Sequence, residues 1–311
     1  MVRWSDQEDA VDWTPTATNT AGSQRISSGS QIISAQKTRQ EMLIWTDTSL
    51  HAMRFTGPPF TFGISMLANN VSILGPNAVT TVGDKVFWMD RENFYVYTGR
   101  VQVIPCTLLR YVFDDINLDQ SFKCFAASNK MFDEVFWFYP TAGSDEIDRY
   151  VKFNFTENTW DLGTLSRTAW VDYGIHDNPR GSGVADSVNY IYIHELGQNN
   201  DGSAMTPFIE SADFDLGDGD HFMFMSRLVP DISITDTSGD SSGTVDYIVK
   251  TRNYPGDSLA TNSTNSVTTT TQQAFVRARS RQAVMRIQSA STDLAWTLGD
   301  LRLDLRPDGR R

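Results

Sequence analysis

The densest group of residues that could do chemistry lies in the acidic stretch 210–221. It contains five carboxylates and a histidine but no lysine or arginine: Glu210, Asp213, Asp215, Asp218, Asp220 and His221. Closely spaced oxygen ligands can hold Ca²⁺, yet an EF-hand loop would need a ligand at Gly217, a glycine at Asp218 and a glutamate at Phe224. We therefore favour an acidic turn that is solvated or pairs with basic residues of another subunit. The sequence leaves ion binding at this stretch open.

A second chemistry to consider is glycoside hydrolysis, which needs two carboxylates held about 5–9 Å apart. The formal candidates are Glu134, Asp148, Asp172 and Glu210. The chain contains 38 acidic residues, so some pair is always available, and nothing in the spacing places any two of these four together. The sequence does not favour this reaction.

Nucleophilic catalysis has no support in the sequence either. The four histidines, none near a GxSxG elbow or a cysteine nucleophile, are His51, His176, His194 and His221. Cys106 and Cys124 are eighteen positions apart without a CxxC pattern, so we interpret them as reduced thiols. No GxGxxG or P-loop motif is present. We expect no catalytic residues, no metal and no cofactor.

The elements that would position any site are apolar runs around a large aromatic residue. These runs are 42–47, 86–90, 135–138 and, more weakly, 190–193, and their aromatics Trp45, Trp88, Trp137 and Tyr192 are 43, 49 and 55 residues apart. A period of about 40–50 residues with several strands per unit is typical of propeller blades. The pattern predicts an all-β protein with a β-propeller-like repeat domain over 1–230. An irregular antiparallel β protein is the alternative.

Within that repeat domain, 78–105 is the most regular stretch. It predicts four short strands, with Gly83-Asp84 and Gly99-Arg100 as two-residue turns. Residues 4–31 predict an N-terminal loop, and 177–187 and 197–205 predict further loops. The segment 108–120 predicts a helix, with Leu109, Val112, Phe113 and Ile116 on one face.

The composition of the chain changes after Pro230. Alternating strands predict a small β-sandwich over 231–311, interrupted by a mobile loop rich in serine, threonine and asparagine at 256–273. From Phe275 to Arg311 there are eight arginines and four aspartates, a net charge of +4. The whole chain carries −12. This asymmetry indicates two surfaces with different partners or a solvated basic tail, and we interpret 302–311 as an ion-pair strip between subunits.

Charge and hydropathy exclude several classes of protein. A net charge of −12 argues against a surface that coats nucleic acid, which needs clustered lysine and arginine. No apolar run approaches the roughly 20 residues that span a bilayer. The N-terminus has no apolar segment of a secretion signal, so we expect neither secretion nor membrane insertion.

Four stretches together carry a resemblance to a known family. They are 3–9 with Trp13-Thr14-Pro15, Thr46-Asp47 with 55–60, the acidic stretch 210–221, and the terminal stretch 305–311. Together they resemble the virion structural proteins of short-tailed bacteriophages, described as packaged-DNA stabilisation or tail hub and nozzle proteins.

This resemblance implies a function without catalysis. It implies a β-propeller-based subunit of the virion tail, assembled in the host cytoplasm as a ring, usually of six copies. The ring lies below the portal and adaptor proteins and lines or closes the channel through which DNA leaves, with transient contact to that DNA. Related chains carry a substantial segment before the counterpart of 3–6, so we expect the propeller to be incomplete or completed elsewhere in the assembly. The alternative function is a carbohydrate-binding or carbohydrate-hydrolysing propeller, an adhesin or depolymerase.

Overall fold

The computed structural model describes residues 1–174, 176–185, 188–236 and 243–310. Parts of the predicted loop 177–187, and Arg311 of the terminal motif, lie outside the described residues. The chain divides into an N-terminal unit, Met1–Glu195, and a C-terminal unit, Leu196–Arg311. The described chain is all-β, as predicted. None of its helices is long and apolar enough to cross a membrane.

The N-terminal unit consists of a two-stranded sheet followed by four antiparallel sheets. The first pair is β1 (Val2–Trp4) with β2 (Gly22–Gln24). Sheet 1 contains β3 (Ile32–Lys37), β4 (Glu41–Thr46), β5 (Ser49–Gly57) and β6 (Thr61–Asn69). Sheet 2 contains β7 (Val79–Val82), β8 (Lys85–Met89), β9 (Phe94–Tyr97) and β10 (Val101–Ile104). Sheet 3 contains β11 (Phe125–Asn129), β12 (Glu134–Tyr139), β13 (Arg149–Asn154) and β14 (Thr159–Thr164). Sheet 4 contains β15 (Ala169–Val171), β16 (Arg180–Ala185) and β17 (Val188–Ile193).

In each of these four sheets the strands pair in chain order, so every sheet is a simple meander. The two-residue turns of sheet 2 agree with the sequence, since Gly83 and Gly99 have φ of +60° and +92°. A type II′ hairpin turn requires this left-handed conformation at its first central residue. Two strands were not predicted from the sequence. β6 follows Pro58-Pro59, residues that usually end a strand because proline has no N–H to donate, and β16 forms inside the predicted loop 177–187.

The aromatic runs lie on the second strands of sheets 1 to 3, where both faces are buried. Along β12, Trp137 faces the core shared by the first three sheets, whereas Phe136 and Phe138 face a smaller core with Trp170 of sheet 4. Trp45 contacts Trp88 of the next sheet at a centroid distance of 5.3 Å. A strand buried on both faces has continuous apolar residues instead of alternation, which explains the repeated motif.

The fourth copy of the motif was assigned incorrectly. Tyr190 to Ile193 lie on β17, the third strand of sheet 4, and most of that strand is exposed. The second strand is β16, which carries Gly181 and Gly183 in place of an aromatic residue. Sheets 1 to 3 are four-stranded meanders, which is the strand pattern of propeller blades, and sheet 4 has three strands. The radial order of a propeller stays a prediction.

The predicted helix 108–120 is two shorter helices, α1 (Leu109–Phe113) and a 3₁₀ helix (Leu118–Lys123). The apolar face was correct, since Val112 and Ile116 are buried in the core. The helix breaks because the Asn117 side chain accepts from the backbone N–H of Asp119, and this local bond caps a new turn.

The C-terminal unit contains ten further strands beyond a two-stranded hairpin. The hairpin is β18 (Asn199–Asn200) with β19 (Ser203–Ala204). The other strands are β20 (Phe208–Glu210), β21 (Phe214–Asp215), β22 (Met223–Val229), β23 (Ile232–Asp236), β24 (Val245–Arg252), β25 (Ala260–Val267), β26 (Ala274–Ser280), β27 (Gln282–Gln288), β28 (Leu294–Leu298) and β29 (Arg302–Pro307). One sheet has the order β20-β27-β24-β25, with β21 also paired to β27, a second has β26-β22-β29, and β23 pairs with β28.

Buried residues of the two larger sheets form one core, including Met225, Val276, Tyr247 and Ile287, as expected of a sandwich. The boundary differs from the predicted 230/231, because β20, β21 and β22 pair with β26, β27 and β29. The predicted mobile loop 256–273 contains β25, which pairs with β24 along most of its length. Its serine, threonine and asparagine side chains suit the exposed face of that edge strand.

Candidate functional site

The four carboxylates considered for glycoside hydrolysis are not brought together. Asp148 accepts hydrogen bonds from the Thr141 N–H (2.9 Å) and hydroxyl (2.7 Å) at one end of sheet 3. Glu134 begins β12 at the other end, about 17 Å away by the rise of five strand residues. Glu210 belongs to the C-terminal unit. Asp172 accepts from the Ser128 hydroxyl at 2.7 Å and from the Lys130 N–H at 3.2 Å, which ties sheet 4 to sheet 3.

Glu134 is part of a charge cluster at the edge of sheet 3. The Lys152 ammonium lies 2.8 Å from Glu134 and 3.4 Å from Asp161. Burial lowers the pKa of Lys152, but the charges of Glu134 and Asp161 raise it by more. The pKa of Lys152 therefore lies above its usual value. Nearby, the Asn129 amide donates to Glu195 at 3.0 Å. Burial and the Glu134 charge raise the pKa of Glu195. The ion pairs of this cluster link β12, β13 and β14.

The acidic stretch 210–221 pairs with cations of its own chain. Glu210 contacts Lys250 at 2.6 Å and Arg286 at 3.3 Å. Burial raises the pKa of Glu210, but Lys250 and Arg286 together lower it by more. The pKa of Glu210 therefore lies below its usual value. Asp213 pairs with Arg252. For Glu210 and Asp213 this differs from the solvated turn or inter-subunit pairing that we favoured, because β20 and β21 pair with β27, which carries Arg286. Asp215, Asp218 and Asp220 are exposed, as expected of a solvated turn.

Part of the Arg-rich end also forms ion pairs within the unit. Arg279 pairs with Asp308 at 2.5 Å, and Arg227 with Asp304 at 3.4 Å. Arg310 lies 3.5 Å from Asp220. Three residues of the strip, Asp304, Asp308 and Arg310, therefore pair within the unit. A contact of the strip with another subunit stays a prediction. Among the described residues, no group of three or more histidine, cysteine, aspartate or glutamate side chains is arranged to hold a metal.

The buried histidine and thiols have structural surroundings. His51 contacts the Ser49 hydroxyl at 2.9 Å, and Ser49 contacts the Thr46 hydroxyl at 2.8 Å, but Ser49 is fully buried in the β4–β5 turn and cannot reach a substrate. Burial lowers the pKa of His51. Burial raises the pKa of Cys106 to about 11 and that of Cys124 to about 12. Thiols with such high pKa values are poor nucleophiles.

His194 and Arg167 form a second polar cluster, in sheet 4. Arg167 Nε donates to His194 Nε2 at 3.0 Å, so this ring nitrogen carries no proton. The guanidinium lies 4.0 Å from the Tyr192 ring, and Trp170 covers the imidazole. Arg167 packs directly against β16, where sheets 1 to 3 have a buried tryptophan on the second strand. Positions 181 and 183 have no room for a larger residue, because a Cβ at either one would lie within about 3 Å of Arg167. Burial, and then the Arg167 charge, lower the pKa of His194 to about 4.

The lowered pKa of His194 predicts acid sensitivity of the N-terminal unit. Above about pH 6.5 the imidazole is neutral in the folded and unfolded states. As pH falls from 6.5 to 4 only the unfolded chain binds the proton, so we expect the unit to lose about 2–3 kcal/mol of stability over this range. Urea unfolding at several pH values measures this loss.

In the variant His194→Gln that part of the pH dependence should disappear. The matched control is His176→Gln, which makes the same substitution at an exposed position outside the Arg167–His194 contact. Parallel profiles for wild type and His194→Gln would contradict the assignment.

A feature that sequence reasoning missed is a cavity of about 840 Å³ where the first strands of sheets 1 to 4 meet. Its lining includes Ser34, Gln36, Asn77, Val79, Phe122, Phe125, Ala126, Thr168 and Trp170. Hydrogen bonds join consecutive sheets beside it, from Ser34 to the Pro76 carbonyl (2.7 Å) and from the Ala126 N–H to the Asn77 carbonyl (2.8 Å). The first strands share no pattern of residue types that would mark them as the lining of one cavity. The cavity could therefore not be predicted from the sequence.

The lining of this cavity is nearly neutral. Its lysine and glutamate, Lys123 and Glu146, pair with each other at 2.7 Å. Gln36 donates to Thr81 at 3.0 Å, and Thr168 contacts the Ser182 hydroxyl at 2.8 Å. Phe122 is an exposed aromatic surface beside these polar groups. The cavity can hold a polar ligand or a partner segment, but its described side chains offer no set of groups for acid–base or nucleophilic catalysis.

Comparison with known proteins adds little to this geometry. No protein-family model matches the chain, and no curated protein matches it. Among solved structures, one described as a glycoside hydrolase aligns with 86% of this chain and 83% of its own, at 11% identity and a TM-score of 0.28. At that score and identity, the similarity establishes neither a shared fold nor a shared activity.

Proposed function

We propose that this chain is a structural subunit of a bacteriophage tail, a ring-forming hub or nozzle component that lines or closes the DNA exit channel. The observation that carries the proposal is the exposed apolar edge of sheet 4, the last sheet of the N-terminal unit. Sheet 4 exposes apolar side chains along its last strand, with Ile191 73% and Ile193 50% exposed. Contiguous exposed apolar surface marks a contact with another protein.

The interior of the N-terminal unit supports the same proposal. Sheets 1 to 3 share one continuous apolar core, and aromatic pairs join neighbouring sheets. Such packing is stiff, as a duct for DNA requires. The candidate acids and histidines described above serve hydrogen bonds and ion pairs within the fold, which suits a component without chemistry of its own. Portal, adaptor and other tail proteins are the proposed partners, with transient contact to viral DNA.

Electron microscopy of purified phage particles tests this proposal. An antibody fragment or a fused tag on the chain should locate it in the tail, in several copies related by rotation about the tail axis. A chain that is absent from the particle, or that occupies no ring, would rule the proposal out.

A second candidate function is binding of a carbohydrate, and the cavity of the N-terminal unit favours it. Aromatic surface next to amide and hydroxyl groups, as at Phe122, Gln36 and Asn77, is the composition of many ligand pockets. Titration with fragments of host polysaccharide would then show binding that Phe122→Ala weakens. An absence of binding at millimolar sugar would exclude this function.

A further inference from the structure

The outer strands of sheets 1 to 4 differ in how far they are protected against pairing with another chain. Each is an edge, because β6, β10, β14 and β17 have a partner strand on only one side in the described chain. Natural proteins protect such edges with charged residues or by keeping them short, since an open edge presents unpaired N–H and C=O groups. The four edges can therefore be compared directly.

The edges of the two middle sheets are protected. β10 of sheet 2 has only four residues and follows Arg100. β14 of sheet 3 carries Asp161, whose carboxylate lies 3.4 Å from the Lys152 ammonium. These are the devices expected on a strand that must stay unpaired.

The edge of sheet 1 lacks this protection. β6 is nine residues long, and the chain has no charged residue from Phe55 to Gly83. Met66, on this strand, is 55% exposed, and Phe60 in the preceding turn is 77% exposed. A long, uncharged and partly apolar edge is suited to pairing with a further strand.

The edge of sheet 4 lacks it as well. β17 has six residues without a charge, and it exposes Val188, Tyr190, Ile191 and Ile193. Sheet 4 also has three strands in the described chain where sheets 1 to 3 have four. One more strand beside β17 would give sheet 4 the same number.

We propose that β6 of one copy of this chain pairs with β17 of the next copy, so that sheet 1 of one subunit continues sheet 4 of its neighbour. The two edges belong to the first and last sheets of the series, and they are different surfaces. A contact between two different surfaces is head-to-tail, and it generates a ring where the rotation closes. This inference deepens the proposed function by naming the partner and the strands.

Three single variants of the full chain test the pairing. Ile191→Lys places a charge on β17, and Met66→Lys places one on β6. The control is Val103→Lys on β10, because Val103 is also an exposed apolar residue, at 53%, on an outer strand. All three side chains are exposed, so thermal unfolding should show three folded proteins.

Sedimentation velocity over a range of concentrations, roughly 1–100 µM, supplies the readout. Wild type and Val103→Lys should assemble beyond a monomer, whereas Ile191→Lys and Met66→Lys should each remain monomeric. An equimolar mixture of these two variants should form a dimer and stop there, because one intact β6 meets one intact β17. Wild type that stays monomeric, variants that assemble like wild type, or a mixture that stays monomeric would each overturn the inference.

The outcome is separable from that of the proposed function. A chain that assembles through β6 and β17 but is absent from phage tails would leave the strand pairing intact and reject the tail role. Conversely, the chain could be found in a tail ring while Ile191→Lys and Met66→Lys leave its assembly unchanged. That result would support the tail role and reject the strand pairing.

Discussion

Replacing Trp137 with alanine should destabilise the N-terminal unit by about 3–5 kcal/mol, the range for removing a large aromatic side chain from a core. The ring is 1% exposed and lies between Phe94 at a centroid distance of 4.8 Å and Trp160 at 6.0 Å. Its loss opens a cavity between sheets 2 and 3 that cannot close easily, because β12, which carries Trp137, and β9, which carries Phe94, are hydrogen-bonded to a strand on both sides. Urea unfolding followed by far-UV circular dichroism gives the change in free energy.

A matched pair of phenylalanine variants separates packing from hydrogen bonding. Trp88 and Trp137 are almost equally buried, but only the Trp88 indole donates a hydrogen bond, to the Ser72 carbonyl at 3.1 Å. The Trp137 indole N–H is buried without a partner among the described residues. Trp88→Phe should therefore cost about 1 kcal/mol more than Trp137→Phe, because it leaves the carbonyl unpaired. Equal costs would show that the two indoles contribute through packing alone.

Replacing Lys152 with methionine should cost about 3–5 kcal/mol, because the change leaves Glu134 as an uncompensated charge in a poorly solvated position. The Glu134 side chain is 11% exposed, and Lys152 is its ion-pair partner at 2.8 Å. Urea unfolding at pH 7 measures the loss. As pH falls the loss should shrink, since an isolated buried carboxylate has a raised pKa and becomes neutral by binding a proton.

The ion pair between Lys123 and Glu146 supplies the control for this prediction. It has a similar separation, 2.7 Å, but Glu146 is 75% exposed. Exposed pairs contribute at most about 1 kcal/mol, so Lys123→Met should be nearly neutral. The double variant Lys152→Met with Glu134→Gln should recover much of the lost stability, because glutamine carries no charge. Similar costs for Lys152→Met and Lys123→Met would contradict a role for burial at Glu134.

Much of the strand pattern could be predicted from local sequence. The four strands of sheet 2 were predicted within one residue, because two-residue turns with glycine at the first position fix a hairpin register. The aromatic runs marked the second strands of sheets 1 to 3, since burial on both faces leaves a continuous apolar run. The fourth run, 190–193, was wrongly predicted to be a counterpart of these second strands. An exposed, apolar edge strand has the same composition as a buried strand, so the sequence does not distinguish them.

The surroundings of the ionisable groups could not be predicted in this way. Glu210 precedes Lys250 and Arg286 by 40 and 76 residues, and only the pairing of β20, β27 and β24 brings the three together. For the same reason the charge asymmetry along the chain did not indicate separate acidic and basic surfaces in the C-terminal unit. Neighbouring strands in a sheet can come from any part of the sequence.

By itself, the amino-acid order determined that the chain is all-β, where the four strands of sheet 2 begin and end, and that the runs around Trp45, Trp88 and Trp137 are buried strands. These properties depend on residues within about ten positions of each other, through turn chemistry and the period of burial. Tertiary structure alone decided which acids meet which cations, that four first strands line one open cavity, and which sheet edges lack a partner strand. Each of these depends on contacts between strands far apart in the chain, and no local pattern encodes such contacts.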